Sequence, residues 1–386
     1  WQKLLDFKPQ PLSAEEQAFL DGPVNDFCRA IDDWEVYQQR DLSPEVWALI
    51  RKYRLFGMII PRQYGGLGFS AIAQSRIITR ISSRSITAAV TVMVPNSLGP
   101  GELLLHYGSE AQKQRYLKRL ADGEEIPCFA LTGPEAGSDA AATQSEGIVE
   151  KRVIDGKEVL GLRCNWKKRY ITLAPVATLI GLAFRIKDPH KLIGDEEDRG
   201  ITCALIPRNT PGVEIGLRHD PMGVPFHNGP IVGHDVWIPM EAVIGEMDGI
   251  GKGWRMLMES LAAGRSISLP ALSVGAAQMA TRICGAYATV REQFDTPIGR
   301  FEGIEEPLAR IAGMTYLMTA TRTLTCAALD AGEKPAVIGS IAKAYLTDSM
   351  RQVVSDAMDI RAGSAIQRGP RNSLSRAWFL VPIAIT

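Results

Sequence analysis

The sequence carries no excess charge of either sign: 43 lysines and arginines stand against 43 aspartates and glutamates in 386 residues. Without a net field, nothing recruits nucleic acid or an anionic membrane surface by long-range electrostatics. No apolar run reaches the ~18 residues that a membrane-spanning helix requires, and no charged-then-apolar leader opens the chain, which starts at Trp1. Histidine is scarce. His106, His190, His219, His227 and His234 show neither H-E-x-x-H nor paired-ligand spacing, which leaves a metal site without support. The six cysteines, Cys28, Cys128, Cys164, Cys203, Cys284 and Cys326, form no C-x-x-C pair and lie mostly in apolar surroundings, as buried free thiols in a reducing cytoplasm would. Neither a G-x-S-x-G nucleophile elbow nor a G-x-x-x-x-G-K-[ST] phosphate loop occurs.

What is present suffices for two or three cored domains, with 46% hydrophobic and 22% charged residues. The pattern changes character twice. Up to about residue 125 it is helical: Ser13-Ala14-Glu15-Glu16 is a capping box, although Gly22-Pro23 is expected to interrupt the run behind it. Ser43-Pro44-Glu45 opens a further helix, and others are expected at residues 71–81, 101–107 and 110–121. From 126 to 245 strand patterns take over, including a hairpin turning at Asp155-Gly156 and apolar runs at 176–184 and 201–206. Asp195-Glu196-Glu197-Asp198 between those runs reads as a solvated loop. From 246 onward helices return at 254–263, 272–291, 308–329 and 336–359, long and amphipathic enough for an antiparallel bundle. Gly249-x-Gly251-x-Gly253 lacks the strand-turn-helix setting of a dinucleotide site and reads as a domain-junction turn.

Two segments carry most of the chemistry. Leu131-Thr132-Gly133-Pro134-Glu135-Ala136-Gly137-Ser138-Asp139 leaves an apolar strand for a turn that can set hydroxyls and N–H groups against a polar ligand edge. Tyr170-Ile171-Thr172 follows about thirty residues later. With Ile60-Pro61-x-x-Tyr64-Gly65-Gly66-Leu67-Gly68, Asn96-Ser97-Leu98-Gly99, Tyr107-Gly108-Ser109 and Arg291-x-x-Phe294, in this order, they span essentially the whole chain. In these motifs the sequence resembles the acyl-CoA dehydrogenase family. The segments Ile201–Pro207 and Gly303–Leu308 look most like the long bacterial members of fatty-acid degradation.

The resemblance implies a mostly α fold with a central β domain: an N-terminal helical domain (1–125), a middle β-barrel (126–245) and a C-terminal four-helix bundle (246–386) that stops before its final helix. It implies FAD as cofactor, fatty acyl-CoA of medium to long chain as substrate, and trans-2-enoyl-CoA as product. An electron-transfer flavoprotein would be the acceptor, and the assembly a homodimer or homotetramer. The expected location is cytoplasmic, peripheral at the inner membrane through segments outside this sequence.

By position, Phe129, Leu131 and Thr132 would line the flavin ring, and Gly137 and Ser138 would meet its pyrophosphate, with Ser138 also near CoA. Tyr170 replaces the Trp of most relatives, and Thr172 would bond near the reactive nitrogen. Arg291, Phe294, Asp359 and Gly363 would reach the adenine end of a neighbouring subunit's flavin, although Asp295, Asp359 and Ala362 depart from the family's usual Gly, Gln and Gly. Arg265 matches an arginine near CoA. Each has a plain rival: Tyr170 and Phe294 as core aromatics, Arg291 as a surface charge, Arg265 as a helix-end cation.

Removal of an α proton requires a carboxylate, and the family's catalytic Glu would fall about two positions beyond Thr386. Gly264 stands where a minority of relatives place it. Val90, Val92, Val94 and Leu98 are candidates for the deep end of an acyl pocket. A flavin monooxygenase or oxidase on the same scaffold, and a non-catalytic flavin or acyl-CoA binder, remain open alternatives.

Overall fold

A computed structural model describes residues 7–97, 99–333 and 336–385, apart from the side chains of 261–263 and 336. The N-terminal layer opens with the expected box: Ser13 Oγ accepts the Glu16 N–H at 3.2 Å and Glu16 Oε2 accepts the Ser13 N–H at 2.9 Å. Helix α1 (Ala14–Phe19) runs through a π-helical turn, Leu20–Val24, directly into α2 (Asn25–Ala30). Gly22-Pro23 therefore widens one turn instead of breaking the run. A widened turn tolerates the missing proline N–H, and Val24 and Phe27 beside it are fully buried.

Helices α3 (Asp33–Gln39), α4 (Pro44–Lys52), α5 (Ala71–Ser82), α6 (Ile86–Met93), α7 (Pro100–Tyr107) and α8 (Glu110–Asp122) complete this layer. Val46, Ile50, Ile77 and Ile81 supply its apolar faces.

The middle layer is a curled seven-stranded sheet. It comprises β1 (Pro127–Ala130), β2 (Glu146–Ile154), β3 (Lys157–Thr172), β4 (Leu179–Lys187), β5 (Asp198–Pro207), β6 (Val213–Ile215) and β7 (Asn228–Pro239). The order is β1-β4-β2-β3-β7-β6, with β5 on the other edge of β4. Asp155 and Gly156, at φ 50° and 76°, make the two-residue turn between β2 and β3, as the right-handed strand twist demands. Asp198 is no loop residue but opens β5, where Lys187 and Arg185 bond its carboxylate and hold it down to about 2.

The C-terminal layer is built on α9 (Gly253–Val290). A short hairpin, β8 (Glu292–Gln293) and β9 (Thr296–Pro297), then leads to α10 (Glu302–Asp330), α11 (Ala336–Arg361), α12 (Gly363–Ile366) and α13 (Ser373–Ile385). The pattern suggests two helices where α9 is one. Pro270 lies inside it and forfeits a backbone hydrogen bond, but Ala271, Leu272 and Val274 just beyond are fully buried, and that packing holds the axis together. The Gly249–Gly253 run is a junction turn: a Cβ on Gly253 would lie 2.7 Å from Thr202 Cα of β5.

Polar ties join the layers. Asp330 of α10 accepts the Ala71 and Ile72 N–H groups at 2.6 and 3.0 Å, capping α5 across the interface. Arg376 of α13 pairs with Asp33 of α3, and Gln112 of α8 donates to Val243 O at 2.6 Å. No helix among the described residues is long and apolar enough to cross a membrane.

Candidate active site

The fold brings the two chemistry-bearing segments together. The chain leaves β1 into the 131–139 turn, which lies against the last residues of β3. Arg169 N–H donates to Thr132 O at 3.1 Å, Arg169 Nη2 to Pro134 O at 3.2 Å, and Gly133 N–H closes the turn onto Ala136 O at 3.0 Å. Leu131 and Thr132 are half-buried, whereas Gly137 and Ser138 are exposed. Phe129 is 5% exposed, and its ring packs over Gly181, where a Cβ would lie 2.6 Å from it.

Lys168 is the residue that sequence reasoning missed. Its side chain is 1% exposed, and its Nζ donates to Leu131 O at 2.8 Å and to Thr143 Oγ1 at 3.1 Å. One ammonium thus pins the root of the turn to the strand that carries Tyr170. Burial holds its pKa down to about 8. Neighbouring Lys167 and Arg169 disguise it as one more surface cation in the sequence.

Tyr170 sits on a bulge between β3 and β7, where the register slips between Lys168 and Ile171. Its φ is 61°, a left-handed value that a large side chain adopts only under constraint. The bulge aims the side chain out of the sheet, so the ring is 59% exposed. The His219 ring stands 5.3 Å from it and the Arg169 guanidinium 5.0 Å. Thr172, opposite Asn228 in the ladder, is half-buried, and its Oγ1 accepts the Asn228 Nδ2 hydrogen at 3.3 Å.

The remaining candidates lie elsewhere. Arg265, exposed on α9, is close enough to Lys343 to depress its pKa, after the larger effect of burial. Lys343 donates to Ile385 O at 2.6 Å. Arg291 and Phe294 project from the β8–β9 hairpin, with Phe294 90% exposed. Asp359 lies in the last turn of α11 and Gly363 opens α12, both exposed.

Comparison with known proteins decides what this assembly is. Family models of acyl-CoA dehydrogenases match in three parts: the N-terminal domain over residues 13–124, the middle domain over 128–236 and the C-terminal domain over 251–383. A 3-(aryl)acrylate reductase of Clostridium sporogenes is 32% identical, covering 85% of this chain and 82% of its own. The chain belongs to the acyl-CoA dehydrogenase family. An acyl-CoA dehydrogenase of Bacillus subtilis is 29% identical over 90% of this chain and 88% of its own length. The solved butyryl-CoA dehydrogenase of Megasphaera elsdenii superposes with a TM-score of 0.85 at 23% identity, over 98% of this chain and 95% of that one. It shows the shared fold.

As a member of this family the protein is an FAD-dependent oxidoreductase, and its surfaces fit the cofactor. A bulge-held aromatic face stands beside a half-buried hydroxyl, and Gly137 and Ser138 donate their N–H groups to no protein acceptor among the described residues. The departures from the family pattern have different local costs. Asp295 shares a two-residue hairpin turn with Phe294, at φ 56° and 54°, which aspartate tolerates in place of glycine. Ala362, at φ 48° and ψ −132°, occupies a region almost reserved for glycine.

A cavity of about 480 Å³ lies between the N-terminal layer and α9, lined by Ile59, Tyr64, Asn96, Glu102, Leu105 and Ile267 among others. Gly264, next to Arg265, is part of its wall. Glu102 has no hydrogen-bond or ion-pair partner among the described residues, and burial pushes its carboxyl up to about 8. It carries no motif, and an acidic residue in a helix's first turn has nothing in the sequence to mark it out. Val90 and Val92 are buried in the core around α6 and Val94 is half-buried, while Leu98 lies outside the described residues.

Proposed function

We propose that the protein oxidises fatty acyl-CoA thioesters of medium to long chain to trans-2-enoyl-CoA. The observation that carries this reading is the joining of the 131–139 turn to the Tyr170–Thr172 bulge, which offers an aromatic face, hydroxyls and unpaired N–H groups on one surface. Bound FAD supplies the acceptor for the two electrons lost with the β hydrogen. Tyr170 gives the ring a flat apolar contact, and Thr172 and Thr132 offer hydroxyls to its polar edges. Gly137 and Ser138 offer N–H groups to a phosphate, and Arg265 a charge to CoA.

Arg291, Phe294, Asp359 and Gly363 complete the site of a neighbouring subunit in a homodimer or homotetramer. That reading draws on Phe294 and on an exposed apolar stripe of α11: Ile338, Ile341 and Tyr345, spaced along one helical face. Electrons pass on to an electron-transfer flavoprotein.

A second reading has its own observation. The similarity to a 3-(aryl)acrylate reductase favours the reverse direction on a conjugated substrate, since a flavin couple runs either way according to substrate potential.

Anaerobic mixing of the full-length, FAD-loaded protein with saturated acyl-CoA thioesters of graded length is the test. Bleaching of the flavin band, fastest with medium and long chains, is expected. Fastest bleaching with short chains would refute the length assignment. No bleaching by any saturated thioester, with reoxidation of the reduced protein by an acrylate, would establish the reverse reaction.

A further inference from the structure

Thr172 does not stand alone. Its Oγ1 accepts a hydrogen from Asn228 Nδ2 at 3.3 Å, and Asn228, 7% exposed, meets His219 Nδ1 through its Oδ1 at 2.8 Å. The backbone locks the same unit: His219 N–H donates to Asn228 O at 2.8 Å, and Leu173 N–H to His227 O at 2.8 Å. An amide oxygen can only accept, so this orientation requires a proton on His219 Nδ1 and fixes its tautomer. The amide nitrogen can only donate, so Thr172 Oγ1 is occupied as an acceptor on its inner side. Its own hydrogen must then find a partner elsewhere.

We propose that His219 and Asn228 form a positioning relay that turns the Thr172 hydroxyl hydrogen outward, making Thr172 a donor to the edge of the flavin ring. The inference rests on the reading that Thr172 faces the flavin. The direction follows from the orientation of the Asn228 amide: with the amide reversed, the Asn228 oxygen would take the Thr172 hydrogen, His219 Nδ1 would accept, and Thr172 would have only lone pairs to offer. His219 is a positioning residue on this account, acting on the cofactor through two others. The Tyr170 ring against it couples the aromatic face of the site to the same unit.

A double-mutant cycle on full-length protein tests the relay, read as the dissociation constant of FAD and the position of its visible band. Thr172→Val removes the donor. Asn228→Asp presents a carboxylate in the same shape, which accepts from Thr172 and draws the hydrogen inward. Each is expected to weaken FAD binding about fivefold, the ratio for one neutral hydrogen bond, and to move the band in the same sense. The double variant is expected to be no weaker than either single one. Wild-type FAD binding in Asn228→Asp, or losses that multiply in the double variant, would overturn the relay while leaving the flavin site in place. Unchanged affinity and band in Thr172→Val would overturn the placement of the flavin itself. Should Asn228→Asp not fold, His219→Phe serves in its stead, keeping a ring against Tyr170 without the Nδ1 donor. A loss of about twofold that vanishes in the Thr172→Val background is then expected. No loss, or a loss that persists there, would count against the relay.

Discussion

Replacing Glu102 with glutamine removes an ionisable group from a place where no described residue pairs with its charge. The carboxyl lines the cavity between the N-terminal layer and α9 without a partner among the described residues, and burial moves it from an ordinary 4.5 to about 8. A raised carboxyl pKa means that the native state keeps a proton the unfolded chain gives up. Wild-type stability therefore falls as pH rises from about 4.5, and levels off above about 8. At 1.36 kcal/mol per pH unit, the ceiling on this loss is roughly 5 kcal/mol. Water entering an open cavity lowers it, to about 2–3 kcal/mol. Glutamine has nearly the same shape and does not titrate, so Glu102→Gln should gain that amount over wild type at pH 9 and nothing at pH 4. Urea unfolding of both proteins between these limits measures it. Parallel pH dependence of the two would show that the carboxylate is solvated, and would refute the reasoning.

Two further substitutions probe the frame around the site. Ala362→Gly should stabilise the protein by about 1 kcal/mol, because relief of a strained backbone outweighs the added chain entropy of glycine; thermal unfolding reads it, and a lower melting temperature would show that Ala362 is unstrained. Asp330→Ala should cost about 1–2 kcal/mol by leaving the Ala71 and Ile72 N–H groups without their acceptor, with faster amide exchange confined to the start of α5 as the local sign; uniform exchange would place the effect elsewhere.

The helices and strands were legible because their signals are local. Ser13 and Glu16 lie three residues apart and satisfy each other's backbone, and Asp155-Gly156 is one of few dipeptides that accept two positive φ angles. Gly22-Pro23 misled for the converse reason, as a local breaker overruled by packing, and the same holds for Pro270 inside α9, where two helices were expected. Ala271, Leu272 and Phe27 are all fully buried, and apolar burial worth several kcal/mol outweighs one lost hydrogen bond.

The site divides along the same line. Thr132, Ser138, Tyr170 and Thr172 were legible because each belongs to a short motif whose spacing is its signature. Lys168, Glu102, His219 and Asn228 belong to none, since what singles them out is distance across the fold. Lys168 lies 37 residues from Leu131 in sequence and 2.8 Å in space; Asn228 lies 56 residues from Thr172 and 3.3 Å away. A lysine between two other cations looks solvated in a string of letters, and only the curl of β3 beneath the 131–139 turn shows that it is not. The hydroxyl chemistry of Thr172 follows the same logic, because a threonine can donate or accept. Which it does toward a ligand is decided by the neighbour that has already claimed its other side, and that neighbour arrives from β7.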